Sequence, residues 1–193
     1  MLKVSRIFFY SSFFQSLKSL FFTLFYPETK IFLTQLRNKI TNNLFLIAQG
    51  RVGLYYIAKF LNERGFQKFY ISPYTNIDVI NALRHSKCSI VFVDIDIETG
   101  YPKDLEKIIS DNENSKCCIL ITHLYSNKKN IEDLCKKLNN RKNNIKVIED
   151  AAIVFGSKLK NKFLGNLFDY GFFSFGLIKN LNTFFGGAIL HNN

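Results

Sequence analysis

The sequence predicts an α/β fold, in which a mostly parallel sheet is covered by helices on both faces. From Leu44 onward, short apolar runs alternate with stretches that have the apolar periodicity of a helix. This alternation is typical of βαβ units, whose crossover helices pack on a parallel sheet. No internal repeat and no linker rich in Gly, Pro or Ser interrupts this part. The 193 residues are therefore expected to contain a single large α/β domain.

The individual elements follow from apolar runs and the residues that end them. The predicted strands are 44–48, 69–72, 90–93, 118–122 and 145–148, and the predicted helices are 52–63, 76–85, 105–109 and 131–138. Gly65 is expected to end the first helix, and Pro73 to end the second strand. Pro102, after the loop 94–101, is expected at a helix start.

Composition narrows the functional class. The net charge of +11 comes from lysines scattered through helices and loops, with no dense basic patch interleaved with aromatic residues. No nucleic-acid partner is therefore predicted, since an anionic small substrate or a solvated surface accounts for the charge. The four cysteines have no metal or redox spacing, so no metal site is predicted. Cys117 and Cys118 lie within an apolar run and are expected to be reduced core residues in a cytoplasmic protein.

Two separated residues suggest cofactor chemistry. Asp150, next to Glu149, follows the predicted strand 145–148, and Lys179 lies in a later loop that leads into Gly186 and Gly187. A pyridoxal phosphate (PLP) enzyme needs a lysine for the Schiff base and an acid that keeps the pyridine nitrogen protonated. The spacing alone is equally typical of a surface lysine and a helix-capping aspartate. Strand alternation places Glu149 on the opposite face, so a structural role is expected for it.

The sequence motifs around these residues resemble those of a known family. The phrases I-E-D-A-A, L-G-N-L-F-D-Y-G, F-F-S-F-G-L-I-K-N-L and G-G-A-I-L fill most of 148–190. Upstream, G-R-V-G-L-Y, S-P-Y-T, N-A-L, V-F-V-D-I-D and T-H-L-Y follow in order between Gly50 and Tyr125. Together they resemble the DegT/DnrJ/StrS-type aminotransferases, which are fold-type-I PLP enzymes acting mostly on nucleotide-linked keto sugars. The resemblance extends over about 43–190.

The resemblance implies PLP as the cofactor and assigns residues to it. Lys179 would form the Schiff base and then transfer the proton between substrate and cofactor carbons. Asp150 would pair with the ring nitrogen. The cofactor-binding residues that it implies are Gly50, Arg51, Val52, Tyr74, Asn76, Asp150, Ser174 and Lys179. Among these, the turn at 50–52 and Ser174 would hold the phosphate, because a helix N-terminus suits an anion.

The chain also departs from the family pattern. Arg51 stands where the family often has a threonine, although members with Gly-Arg occur. Ile153 and Phe155 replace a polar residue and a frequent histidine. The aromatic residue that usually stacks on the cofactor ring aligns near Asn76, so Tyr74 or His123 would cover the ring instead. These changes bear on substrate choice and on full activity.

The Phe-rich segment at residues 1–42 is predicted to be helical and separate from a PLP-binding domain at 43–193. Residues 8–26 have the length of a membrane span but are interrupted by Gln15, Lys18 and serines, which favours one or two amphipathic helices. Three alternatives remain, in this order: packing on a partner subunit, an interfacial membrane helix, and a true span. Family members often place N-terminal helices at their dimer interface. No signal peptide is predicted, because a small-residue cleavage site is lacking.

The implied function is transfer of an amino group from an amino acid, with glutamate expected, to a nucleotide-linked keto sugar in surface polysaccharide synthesis. A cytoplasmic homodimer is expected. One alternative is a truncated or degenerate, catalytically inactive remnant, and another is a membrane-associated scaffold. Family members continue into a small C-terminal domain that closes over the substrate. A truncated product, a split gene or a fragment is therefore expected, with weak PLP binding and little turnover.

Overall fold

The structure is a computed structural model, which describes residues 13–25, 29–124, 127–181, 183 and 185–192. The helices are α1 Phe13–Phe25, α2 Thr29–Lys39, α3 Gly50–Asn62, α4 Ile77–His85, α5 Leu105–Asp111 and α6 Lys128–Asn139. The strands are β1 Leu44–Ile47, β2 Lys68–Ile71, β3 Ser89–Phe92, β4 Cys117–Thr122, β5 Ile145–Asp150, β6 Lys158–Leu159, β7 Lys162–Phe163, β8 Tyr170–Ser174 and β9 Gly187–His191.

Seven of these strands form one sheet in the order β1-β9-β8-β5-β4-β2-β3. The pairs β8–β5, β5–β4, β4–β2 and β2–β3 are parallel. Strand β9 pairs antiparallel with both of its neighbours, so β1 has the same direction as the five parallel strands. The predicted α/β class with a mostly parallel sheet is confirmed. Strands β6 and β7 form a separate hairpin.

The helices pack on both faces of this sheet. On one face, α3 and α4 bury a cluster that includes Leu54, Leu61 and Leu83 against side chains from β2, β4 and β5. On the other face, α5 and α6 bury a cluster that includes Ile108 and Leu138. Alternate residues of β4 enter the two clusters, as the period of two in a strand requires. The sheet is therefore the middle layer of a three-layer domain.

Two adjacent cysteines of β4 lie on opposite faces of the sheet. Cys118 belongs to the cluster beneath α3 and α4, and Cys117 to the cluster beneath α5 and α6. Both are fully buried, and burial raises the pKa of the Cys117 thiol to about 11. They are core side chains, in keeping with the expectation from the sequence.

Most predicted elements occur within two residues of their predicted bounds, and the structure differs from the predictions at three further points. Strand β5 continues through Glu149 and Asp150, because both residues pair with β4 and β8. Asn76 lies before α4 and caps it by accepting from the Asp78 N–H at 2.9 Å. The expectation that Pro102 lies at a helix start is wrong, because it forms an antiparallel bridge with Ile95 and α5 begins at Leu105.

The N-terminal prediction falls partly outside the described residues, since 1–12 and 26–28 are not among them. Within them, α2 packs on the domain: Leu33 and Ile40 contact the cluster around Leu44, and Arg37 Nε donates to the Leu44 carbonyl at 2.9 Å. The division between 1–42 and 43–193 stays a prediction. Among the described helices, none combines the length and apolar character needed to cross a membrane.

Candidate functional site

One cavity of about 650 Å³ opens at the sheet edge where the parallel strands end. It is lined by residues at or just after the carboxyl ends of four strands: Gln49 after β1, Thr122 in β4, Asp150 in β5 and Ser174 in β8. Ligand sites of open α/β sheets lie at this edge, outside the carboxyl ends of the strands. Residues at the N-termini of α3 and α4 also line the cavity. Its position and size suit a cofactor-sized anionic ligand.

Asp150 forms part of the inner wall of the cavity. It is the last residue of β5, the residue is 7% exposed, and its Oδ1 accepts from the Ala152 N–H at 3.1 Å. Burial raises the pKa of the Asp150 carboxyl, while the Ala152 N–H and the positive charge of Lys179 oppose that increase. An additional cation beside Asp150 would therefore favour its charged form.

Lys179 lines the same cavity from a compact loop after β8. Its backbone N–H donates to the Gly176 carbonyl at 3.0 Å. The base of the loop is closed by two backbone bonds: Phe175 N–H to Gly186 O at 2.9 Å and Thr183 N–H to Phe175 O at 3.0 Å. The lysine is half-buried, and its charge lowers the pKa of Asp150. The acid and the lysine predicted from the sequence thus occupy one site, although they are far apart in the chain.

The turn at 50–52 packs directly on Ser174. A Cβ added to Gly50 would lie 2.9 Å from the Ser174 Cβ, so only glycine allows this close approach without a shift. Gly50, Arg51 and Ser174 line the cavity. Val52 does not: its N–H donates to the Gln49 carbonyl at 3.1 Å, and it lies on a neighbouring concavity instead.

Arg51 and Asp78 form an ion pair on one side of the cavity. Arg51 Nη1 lies 2.9 Å from Asp78 Oδ2, and Arg51 Nε donates to Gln49 Oε1 at 2.7 Å. Their side chains are 51% and 44% exposed. Arg51 was a candidate from the sequence but Asp78 was not, because no local pattern links two helix starts that are distant in the chain.

The loop between β2 and α4 supplies Tyr74, Thr75 and Asn76 to the cavity. Tyr74 is half-exposed, and its N–H donates to Ser72 Oγ at 3.0 Å. Asn76 uses its side-chain oxygen as the α4 cap. The Thr75 hydroxyl is buried and has no hydrogen-bond partner among the described residues. A ligand atom in the cavity could satisfy it.

His123, the other candidate for covering the ring, lies in the cavity wall and is 1% exposed. Both of its ring nitrogens are engaged, with Nδ1 2.9 Å from the Tyr101 hydroxyl and Nε2 2.9 Å from Glu149 Oε2. Glu149 does not line the cavity, consistent with its expected structural role. Tyr101 was not singled out in the sequence, since no local pattern links it to His123.

Ile153 and Phe155, the two other departures from the family pattern, lie in different surroundings. Ile153 lines the cavity. Phe155 packs edge-to-face on Phe173 and Phe175, with ring centroids 5.0 and 5.2 Å away. Of the two replacements, only Ile153 is placed to contact a ligand directly.

The residues around the cavity fit PLP. A phosphate group would find hydrogen-bond donors in Ser174, Arg51 and the Thr75 hydroxyl, which has no partner among the described residues. The Gly50 backbone can also approach it, because a side chain at this position would clash with Ser174. Asp150 offers a buried carboxylate to a protonated ring nitrogen, and Lys179 offers an amine. Within the described residues, no group of three His, Cys, Asp or Glu side chains could hold a metal ion.

The fold is the PLP-transferase fold. Residues 11–193 match the model of the DegT/DnrJ/EryC1/StrS aminotransferase family, and the chain belongs to that family. Spr1654 from Streptococcus pneumoniae, assigned as a sugar aminotransferase and solved in its PLP form, has a similar structure. The TM-score is 0.76 at 20% identity, over 99% of this chain and 54% of that one.

Two curated proteins are also similar. GDP-perosamine synthase of Escherichia coli O157:H7 is 30% identical over 149 residues, covering 76% of this chain and 40% of that protein. UDP-4-amino-4,6-dideoxy-N-acetyl-beta-L-altrosamine transaminase of Campylobacter jejuni subsp. jejuni serotype O:23/36 (strain 81-176) is 29% identical over 123 residues, covering 63% and 32%. This chain therefore spans less than half the length of either curated relative.

Proposed function

We propose that this chain is the PLP-binding portion of an aminotransferase that acts on a nucleotide-linked keto sugar. The observation that carries the proposal is that Asp150 and Lys179 line one cavity together with Ser174 and the 50–52 turn. Bound PLP would supply an electron sink for amino-group transfer. The named relatives are a GDP-linked sugar synthase and a UDP-linked sugar transaminase, which supports the substrate class.

Each residue has a definite task in this proposal. The Asp150 carboxylate would hold a proton on the ring nitrogen, since it is buried and, among the described residues, only the Ala152 N–H donates to it. Lys179 Nζ would hold the cofactor and, as a free amine, would accept and return the substrate proton. Ser174 Oγ and the amides at the start of α3 orient the phosphate. The His123 ring, hydrogen-bonded at both nitrogens, would exclude water beside Asp150.

The donor amino acid, expected to be glutamate, and the homodimer belong to the same proposal. The exposed apolar rim of the cavity is compatible with a covering surface, since Tyr74, Leu177, Ile178 and Phe185 are each at least 45% exposed. A cytoplasmic location follows from the nucleotide-linked substrate class that we propose. An inactive remnant that retains this fold is the second candidate, favoured by Ile153 in the cavity wall where the family has a polar residue.

The proposal is tested by reducing the purified chain with borohydride after incubation with PLP and mapping the labelled peptide. We expect label on Lys179 and a visible absorbance band. Lys179→Arg should abolish both, whereas Lys158→Arg, in the β6–β7 hairpin outside the cavity, should change neither. Label on other lysines only, or none in a folded sample, would refute cofactor binding at this site.

Activity separates the two candidates. The chain would be given a GDP- or UDP-linked keto sugar with glutamate, and the amino sugar product would be measured by mass spectrometry. Turnover that is lost in Lys179→Arg would support the aminotransferase. Label on Lys179 without any turnover would favour the inactive remnant.

A further inference from the structure

The Arg51–Asp78 ion pair separates two concavities. Both residues line the cofactor cavity, and both also line a second concavity of about 450 Å³ between α3 and α4. Tyr55, Asn81 and His85 line the second concavity as well. An anion entering at this boundary would meet the Arg51 guanidinium, which now bridges Asp78 and Gln49.

Arg51 can exchange Asp78 for another anion with little loss of free energy. Exposed ion pairs contribute about 0–1 kcal/mol, because water screens them and ordering both side chains costs entropy. A phosphate monoester, or a diphosphate as a whole, carries about two negative charges against one for a carboxylate, and a phosphate group accepts two parallel bonds from a guanidinium. Asp78 would remain favourably placed without Arg51, since it lies in the first turn of α4, at the positive end of the helix.

A second observation concerns an unused hydrogen-bond donor in the cavity beside this pair. The Thr75 hydroxyl is buried there without a partner among the described residues, and Ser174 lines the same cavity. The Asp78 carboxylate accepts a hydrogen bond from Arg51 but leaves the Thr75 hydroxyl without a partner among the described residues. A phosphate group has oxygens for both.

We propose that Asp78 is an internal stand-in for a phosphate group: it pairs with Arg51 and is displaced from it when a phosphate-bearing ligand binds. The phosphate has two candidate sources within the function proposed above, on which this inference rests. One is the phosphate monoester of PLP, and the other is the diphosphate of the nucleotide-linked sugar, lying along the boundary with the second concavity.

The test compares ligand affinities of the parent and Asp78→Asn by calorimetry. Removing the competing carboxylate should tighten binding of the phosphate ligand about two- to fivefold, the range that an exposed ion pair supports. Pyridoxal without phosphate, and uridine or guanosine, should bind unchanged. A gain confined to PLP identifies the cofactor phosphate, and a gain confined to UDP or GDP identifies the diphosphate.

Two controls separate exchange at Arg51 from a general change in charge. Glu113→Gln removes a similar exposed ion pair, with Lys142 at 2.9 Å, whose residues do not line the cavity. It should leave all affinities unchanged. In an Arg51→Ala background, Asp78→Asn should no longer tighten binding, because the competition needs the guanidinium.

Equal affinities in the parent and Asp78→Asn for both PLP and the nucleoside diphosphates would overturn the inference. So would a gain that persists in the Arg51→Ala background. Neither result affects the label on Lys179, so the proposed function would stand. If PLP does not label the parent, the nucleoside diphosphates still decide the inference on their own.

Discussion

His123 Nε2 lies 2.9 Å from Glu149 Oε2, and both side chains are almost completely buried. Glu149 also accepts backbone N–H bonds from Gly165, Leu167 and Phe168 at 2.7, 2.6 and 3.0 Å. One carboxylate thereby joins the residue after β4, the end of β5 and the loop before β8. Because Asp150 is the next residue, this network fixes the strand end that carries the candidate cofactor acid.

Glu149→Gln should be strongly destabilising. The amide oxygen cannot replace two carboxylate oxygens that accept four bonds, and the amide NH₂ would face N–H donors. We expect a loss of about 3 kcal/mol in the free energy of unfolding, typical of breaking a buried charged network. Urea denaturation measures it, and Glu113→Gln, at an exposed pair, serves as the control. A loss as small as that of the control would mean that the network contributes little.

Asp150→Asn should stabilise the cofactor-free protein at neutral pH. The pKa of Asp150 is raised above its ordinary value of 3.8, so the folded state binds a proton more tightly than the unfolded chain. Stability therefore falls as pH rises from the unfolded to the folded pKa, and the cost persists above both values. The Asn side chain avoids this cost and can keep its bond to the Ala152 N–H.

Thermal denaturation at several pH values checks this expectation. The difference in Tm between Asp150→Asn and the parent should be positive at pH 7 and vanish well below pH 3.8, where both states are protonated. Each 1 kcal/mol corresponds to about 2–4 °C in a domain of this size. The same variant should lose PLP binding. A variant that melts below the parent at pH 7 would contradict the assignment of a desolvated carboxyl.

Gly171→Ala should prevent close packing between β8 and the loop before it. A Cβ at Gly171 would lie 1.9 Å from the Gly165 carbonyl oxygen, which is backbone and cannot turn aside. We expect a cost of about 3 kcal/mol or more, the upper range for overpacking. Gly176→Ala is the matched control, since its nearest neighbour would be Ser174 Oγ at 4.0 Å. Equal unfolding midpoints for the two variants would show that the loop moves freely.

The thiols should react slowly in the folded protein. Cys88, Cys117 and Cys118 are buried, and burial raises their pKa values, that of Cys117 to about 11. Since the thiolate is the reactive form, iodoacetamide at pH 8 should label half-buried Cys135 first and all four only in urea. Peptide mass spectrometry over time gives the order. Cys117 reacting as fast as Cys135 would contradict the packing of β4.

The exposed face of α1 provides a test of the N-terminal alternatives. Phe13, Leu17, Leu20 and Phe21 recur at helical spacing, and each is more than half-exposed. If this face packs on a partner subunit, Leu17→Ser with Leu20→Ser should give a smaller species in light scattering, whereas Ile97→Ser, at another exposed apolar residue, should not. An unchanged oligomer, together with lost binding to lipid vesicles, would favour the interfacial membrane helix.

The sequence predicted those features that depend on local pattern. Apolar runs located the strands, and the family phrases identified Asp150, Lys179 and Ser174, which line one cavity; their roles toward PLP stay predictions. Contacts between distant residues had no such signal. The antiparallel β9 between β1 and β8, the Arg51–Asp78 pair and the Tyr101–His123 bond depend on how the chain folds in space.

Among the described residues, strand β1 pairs with β9 alone, and Leu44 lies opposite Leu190, near the end of the described chain. This pairing has a consequence for the order of folding. Strands β2 to β5 and their helices can assemble from neighbouring segments, whereas β1 can pair in the sheet only after β9 has been synthesised. Gly50 is seated between Ser174 and Gly187, so the turn at 50–52 cannot adopt its final place earlier. The first part of the site to be synthesised is therefore expected to be the last to acquire its native shape.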